Sequence, residues 1–331
     1  MKNRKTIYLL IILLALQASC NSSQTGCTDP EAINFDSNAT EDDLSCENDS
    51  TYINPRWSLE LSDQIRETSG LIIWDGLLWT FNDNTDTRLY GLDTLSGEIV
   101  DDYLLEGVEN QDWEGIAQDE DFIYLGDIGN NSGNRRDLHI LRIDKASLRS
   151  GEPSIDTIWF SYSDQQNFNP PDANQTEFDC EAFVVSSDSI YLFTKQWLSG
   201  YTTLYALPKH PGSYVAQKRG AFDTRGQVTG ASYLEKEGVL VLSGYSGLIQ
   251  PFLFLFYDYQ GYNFFSGVRQ RVNVIIPFHQ LEGVATDNGT RYYISNESSA
   301  LNQIGSIPQK LHYIDLSEFL GEYLKGSREF D

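Results

Sequence analysis

From residue 52 onward, short apolar runs alternate with clusters of turn residues. The runs, such as Leu77 to Phe81, Phe122 to Leu125 and Ile190 to Phe193, are β-branched or aromatic in character and too short for helices. Five units begin alike, at Ser69-Gly70-Leu71, Glu114-Gly115-Ile116, Glu181-Ala182-Phe183, Thr229-Gly230-Ala231 and Glu282-Gly283-Val284. Each reads as a strand, a turn at a polar pair (Asp75-Gly76 in the first unit, Asn288-Gly289 in the last) and a returning strand. A third strand follows in every unit and a fourth in the first four, while the last unit lacks its own. The segment Arg56 to Ser62 precedes the first unit and supplies the missing strand. Such a repeat predicts an all-β fold, a single β-propeller of about five four-stranded blades closed by an N-terminal strand, with six blades as the alternative count. A polar stretch in the long second unit, Gln165 to Glu177, reads as an exposed loop, and only Ser317 to Leu324 has helical spacing.

In a propeller the first strand of each blade lines the central channel and the second runs antiparallel beside it. Ser69, Glu114, Glu181, Thr229 and Glu282 open the first strands, and Asn82, Asp127, Thr194, Gly244 and Asn296 close the second ones. Both sets are expected at one channel mouth, with Lys195 adding a positive charge. Glu67, Asp112, Asp179, Gln227 and Gln280 form a further layer two residues earlier. Converging carboxylates repel, and their pKa values rise unless a cation compensates. Calcium held by Glu114, Asp127, Glu181 and Glu282 is one reading; the other is that these side chains cap strands around a water-filled channel. Arg135 and Arg136, beside the glycine-rich run Gly126 to Gly133, are candidates to receive an anion, although no helix follows to cradle phosphate. No complete catalytic set emerges. The four histidines are scattered without metal-binding spacing, and Gly244-Tyr-Ser-Gly-Leu lacks the last glycine of a nucleophile elbow.

The start of the chain has a different character. A basic beginning, an apolar run from Ile7 to Leu16 and a small-residue exit read as a secretory signal over residues 1–19. Ala18-Ser19-Cys20 resembles a lipobox, which implies lipid on Cys20, though Gln17 departs from the usual apolar residue. Residues 20–26 then serve as anchor and tether, 27–47 as an acidic module, and 52–331 as the propeller domain. The segment Cys27 to Cys46 resembles a short acidic module of secreted bacterial proteins, CTDP…DDGSC, with Leu44 in place of the glycine. Export permits a Cys27–Cys46 disulfide, and so short a segment needs such a staple. Its oxygens at Asp29, Asn34, Asp36, Asp42 and Asp43 are a possible second calcium set. Cys180 is left over in a strand and reads as a buried small hydrophobe.

Acidic residues outnumber basic ones 48 to 23, so nucleic acid is excluded as a partner and the membrane is reached through the lipid anchor only. Glu67-Thr-Ser-Gly-Leu, Asp112-Trp-Glu-Gly-Ile-Ala and Leu125-Gly-Asp-Ile-Gly-Asn-Asn131 with Arg135 resemble a group of bacterial lipoprotein propellers. That group is similar in turn to phytase-like, esterase-like and gluconolactonase-like propellers. The resemblance implies calcium and channel-mouth carboxylates that bind phosphate or polarise a lactone carbonyl, and it carries over to Glu114, Asp127 and Glu282. Those enzymes have six blades, however, against five units here. The expected function is a lipid-anchored propeller, at the outer membrane or cell surface, binding a cation and a ligand at its channel mouth. A calcium-assisted phosphoesterase or lactonase-like hydrolase and a protein-interaction scaffold are the alternatives, so whether the protein is an enzyme stays open.

Overall fold

The computed structural model describes residues 23–28, 32, 34–43, 51–247, 249–301 and 305–327. Five blades form a ring. Blade 1 comprises Thr68–Trp74, Leu77–Asn82, Arg88–Leu92 and Ile99–Leu104, and blade 2 Trp113–Gln118, Phe122–Asp127, His139–Asp144 and Ile155–Tyr162. Blade 3 comprises Asp179–Val185, Ser189–Lys195, Tyr201–Pro208 and Gly212–Asp223, and blade 4 Gln227–Leu234, Val239–Tyr245, Pro251–Tyr257 and Val268–Val274. Blade 5 takes Leu281–Thr286, Arg291–Asn296 and Lys310–Asp315 from the end of the chain and Trp57–Glu60 from near its start. The closing strand pairs antiparallel with Lys310 to Tyr313, as the unpaired N-terminal run foretold. Trp57 lies stacked on Tyr313 with ring centroids 5.4 Å apart, and Ser58 Oγ sits 2.7 Å from His312 Nδ1. Inner strands of neighbouring blades pack side by side around the whole ring, blade 5 against blade 1 included. Apolar clusters fill the wedges between blades; between blades 3 and 4, Phe222, Phe252, Phe254, Phe256 and Phe264 are all buried.

Local chemistry explains the turns. Asp75 and Gly76 both have positive φ, the geometry of the tight turn that suits twisted hairpins. The C-terminal helix runs Ser317–Ser327, slightly longer than its pattern suggested, and a second helix, Lys145–Ser150, starts where Asp144 accepts from the Ser147 amide. Two pairings had no sequence signal. The start of Gly212–Asp223 runs parallel to the outer strand of blade 2, joining blades 2 and 3 into one eight-stranded sheet. Thr51–Ile53 adds a fifth, parallel strand to the outer edge of blade 4.

The N-terminal module docks on blade 4. Asp42 forms an ion pair with the buried Arg269 and accepts from Thr28 Oγ1 at 3.1 Å. Asp36 accepts from Gln24 Nε2 at 3.0 Å and from the Asn38 amide at 2.9 Å. Asp36 and Asp42, two of the five residues expected to hold a second calcium, are thus engaged by protein donors. Cys20, Asp29, Cys46 and the signal segment lie outside the described residues. Cys180 is a buried free thiol, as its strand context suggested.

Candidate functional site

The same irregularity recurs at the head of each inner strand. In blade 2, Trp113 pairs with Asp127 and Gly115 with Gly126, so Glu114 has no residue opposite it. In the same way Glu181 is skipped in blade 3, Thr229 in blade 4 and Glu282 in blade 5. Blade 1 shifts register between Ser69 and Ile72. A β-bulge of this kind inserts one unpaired residue and re-aims its side chain. Here three of the bulged side chains, Glu114, Glu181 and Glu282, line one cavity at the ring's axis, joined by Ser69.

That cavity has a volume of about 220 Å³. Six carboxyl groups wall it, those of Asp83, Asp112, Glu114, Glu181, Glu282 and Glu297, against one ammonium, that of Lys195. Asn131, Asn174, Gln280, Trp197 and Tyr245 complete the wall. Below it, between Gly70, Gly115, Ala182 and Gly230, the channel narrows to about 10 Å³. That is scarcely room for one water, so the cavity is a pit with a floor and not a pore. Asn174 comes from the Gln165 to Glu177 loop, which is exposed as expected yet folds back over the mouth, its Asn174 amide donating to the Asn131 carbonyl at 2.7 Å.

Burial and mutual repulsion decide the electrostatics. Burial, then the charges of Glu297 and Glu67, push Asp83 up to about 7, and burial with the Asp179 charge raises Asp112 to about 6. Glu114 is pushed well above the usual carboxylate range by burial and by Glu181 and Asp112, and Glu282 by burial and by Glu181 and Glu297. Burial raises Glu297 as well. Lys195 Nζ donates to Glu181 Oε1 at 2.5 Å and lies 4.7 Å from the Trp197 ring centre and 5.6 Å from that of Tyr245. Both partners are buried, and Glu181 Oε2 has no hydrogen-bond partner.

Of the ten side chains expected at the mouth, those of Ser69, Glu114, Glu181, Lys195 and Glu282 line the cavity. The others do not. Thr229 sits deeper, donating to the Leu281 carbonyl. Asn82 donates to the Gln64 carbonyl, Thr194 Oγ1 accepts from the Thr203 amide, and Asn296 donates to the Pro308 carbonyl. Asp127 forms a 2.6 Å ion pair with Arg135, which removes it from the expected metal set and also occupies the expected anion receptor. Arg135 further donates to the Gly129 carbonyl at 2.9 Å, while the exposed Arg136 lies 3.8 Å over Phe168. The residues actually facing the axis are the next ones along: Asp83, Lys195, Tyr245 and Glu297. Alternate side chains of a strand point to opposite faces, so a one-residue bulge exchanges which neighbour faces the channel. Asp83 and Glu297 were missed for that reason, although each directly follows a residue that was named. Of the earlier layer, Asp112 and Gln280 reach the cavity, whereas Asp179 is held by the Asn130 amide and the Trp197 indole.

No family model matches the chain, and no curated protein matches it. Among solved structures, a gluconolactonase of Xanthomonas campestris, important in glucose secondary metabolic pathways, aligns over 80% of this chain and 95% of its own. It does so at 13% identity with a TM-score of 0.42. U3-55K aligns over 75% of this chain and 68% of its own, at 9% identity and a TM-score of 0.35. Likeness this distant carries no argument about function, and the propeller assignment rests on the chain's own sheet order.

Proposed function

We propose that the protein is an extracytoplasmic propeller, tethered to a membrane through lipid on Cys20, whose axial cavity binds a cation together with a small polar ligand. One observation carries this reading: six carboxyl groups and one lysine line the same axial cavity, with a buried Glu181 oxygen left unpartnered. Carboxylates crowded at low dielectric are relieved by protons or by a cation. The oxygen-rich lining suits calcium in donor type, with Glu114, Glu181 and Glu282 joined by Asp83, Asp112 or Glu297. In disposition it suits calcium less well, since no three acidic, histidine or cysteine side chains among the described residues are grouped to hold a metal.

Thermal unfolding in chelator, then in millimolar calcium chloride or ammonium salts, tests the reading. A bound cation at about 100 times its dissociation constant adds about 2.7 kcal/mol. The expected result is a rise in melting temperature that Glu282→Gln loses. Insensitivity to every cation would overturn it.

A hydrolytic reading is favoured by one observation, that Asp83 and Asp112 are raised to about 7 and about 6, where a carboxylate serves as a general base at neutral pH. It predicts turnover within a panel of phosphoesters and lactones that Asp112→Asn abolishes. A panel without turnover would dispose of it.

A further inference from the structure

The glycine-rich run Gly126 to Gly133 brings two of the cavity's carboxylates together. A Cβ on Gly129 would stand 2.9 Å from Glu114 Oε1 and closer still to Asp112 Oδ2. The missing side chain lets both groups crowd against the loop, with their oxygens no more than about 5 Å apart. Neighbouring acids are taken up elsewhere: Glu181 Oε1 by Lys195, Asp179 by the Asn130 amide and the Trp197 indole, and Asp127 by Arg135. Ser69 Oγ donates to the Glu114 carbonyl at 2.9 Å and fixes the backbone beside the pair.

The charge of the wall selects among hydrolytic chemistries. Among the described residues it holds six carboxyl groups and one ammonium, and that ammonium is already bonded to Glu181. Acyl and phosphoryl transfer gather negative charge in the transition state and call for free donors or cations. Cleavage of a glycosidic bond gathers positive charge on the sugar, as an oxocarbenium-like ion, and is served by two carboxyl groups. A spacing of about 5 Å is that of an acid and a nucleophile, whereas a carboxylate acting through water stands about 6.5–9.5 Å away. On the same wall Glu181 Oε2 lacks a partner, although its residue is only 5% exposed, and a sugar hydroxyl would supply one. The carboxylates repel an acidic sugar, and a floored pit of about 220 Å³ admits a terminal sugar and not the middle of a chain.

We propose that the protein is a retaining, exo-acting glycosidase for neutral sugars, with Asp112 and Glu114 as its catalytic pair. This rests on the hydrolytic reading and names its substrate class. Glu114 is the harder of the two to ionise, through burial and the charge of Glu181, and holds the proton. As an Asp112 oxygen bonds to the anomeric carbon, the glycosidic bond breaks and the Glu114 proton passes to the leaving oxygen, which departs as an alcohol. A water then attacks the same carbon, gives its proton to Glu114 and frees the Asp112 carboxylate. The sugar leaves with its original anomeric configuration. Gly129 is a positioning residue, since its missing Cβ sets the spacing of the pair.

The full chain is tested on 4-nitrophenyl α- and β-glycosides of neutral hexoses and pentoses, alongside phosphoesters and lactones, with proton NMR reading the anomer released. Nitrophenol release from a glycoside with retention is the expected result. Asp112→Asn and Glu114→Gln should each lower kcat/KM by about 10²–10⁴-fold. Gly129→Ala should lower kcat with KM little changed, because its Cβ displaces the ends of two side chains and not backbone. Urea midpoints report that all three variants fold. Turnover with inversion, or turnover that either carboxyl variant keeps, would overturn the catalytic pair. Turnover of phosphoesters or lactones alone would overturn the glycosidase and leave the hydrolytic reading standing. No turnover of any substrate would overturn both.

Discussion

Lys195 and Glu181 are the one ion pair in the cavity wall, and both are buried. The pair's worth to stability is small against its cost if broken. Removing one partner of a buried pair costs about 3–5 kcal/mol, because a charge stays behind without compensation, whereas replacing both by apolar groups is often neutral. Lys195→Met is therefore expected to lower stability by about that amount at pH 7, and Lys195→Met with Glu181→Leu to recover most of it. The deficit of the single variant should deepen as pH rises past neutrality, where Glu181, raised by burial to about 8, loses its proton with no lysine beside it. Urea midpoints in a double-mutant cycle check this, and an additive double variant would refute it. Sequence alone named Lys195 as a charge near three glutamates. It did not disclose the aromatic seat, because Trp197 and Tyr245 belong to different blades and meet only in the ring.

At the level of the element, the glycine step repeated in four of the five unit starts acquires a physical meaning. The bulged residue turns to the axis, and the glycine after it lies where the next blade's inner strand passes. A Cβ on Gly230 would come within 2.5 Å of Ser243 Oγ and 3.1 Å of the Glu282 carbonyl oxygen. A Cβ on Gly283 would meet Ser295 Oγ at 2.6 Å and the Gly70 backbone at 2.9 Å. Backbone cannot step aside as a flexible side chain can, so Gly283→Ala should overpack the blade 5–blade 1 joint and cost about 1–3 kcal/mol. The loss should appear as a lower urea midpoint, and an unchanged midpoint would show that the joint has slack. The unit starts were legible in the sequence because this glycine step recurs. The bulge was not, since an inserted residue leaves no mark on an apolar run. Missing it displaced the second ring of side chains by one position, from Asn82 and Asn296 to Asp83 and Glu297.

On the scale of the whole molecule, ring closure could be read from Arg56 to Ser62 because a strand-like run without a unit had one vacancy to fill. The parallel pairings of Thr51–Ile53 and of Gly212–Asp223 could not, because edge partners are chosen by three-dimensional proximity and carry no local pattern. What the closed ring imposes is a burden of negative charge at its axis, and this makes stability depend on pH in a particular sense. Asp83 and Asp112 titrate at about 7 and about 6 in the folded chain, against a usual carboxylate value of 3.8. Between those values the folded chain holds more protons than the unfolded one, so stability declines as pH rises through this window. Asp119 and Asp137, held low by Lys209 and Arg135, act in the opposite sense, and their contribution is lost as pH falls below the usual carboxylate value. The melting temperature should therefore peak near pH 4–5 and fall through pH 7, the decline continuing above it because Glu181 is raised to about 8 and Glu114 and Glu282 well above the usual range. Self-repulsion of a chain with net charge −25 also weakens it as pH rises, so the share of these two groups is isolated by Asp83→Asn with Asp112→Asn, which should lessen the decline between pH 5 and 7 while the raised glutamates keep the rest. A cation bound at the axis should flatten it in the same way, by replacing the protons. Calorimetric melting from pH 3 to 8 would decide the matter: a temperature still rising through pH 7 in the wild type would mean that the axial carboxylates are not strained, and the need for a cation there would disappear with the strain.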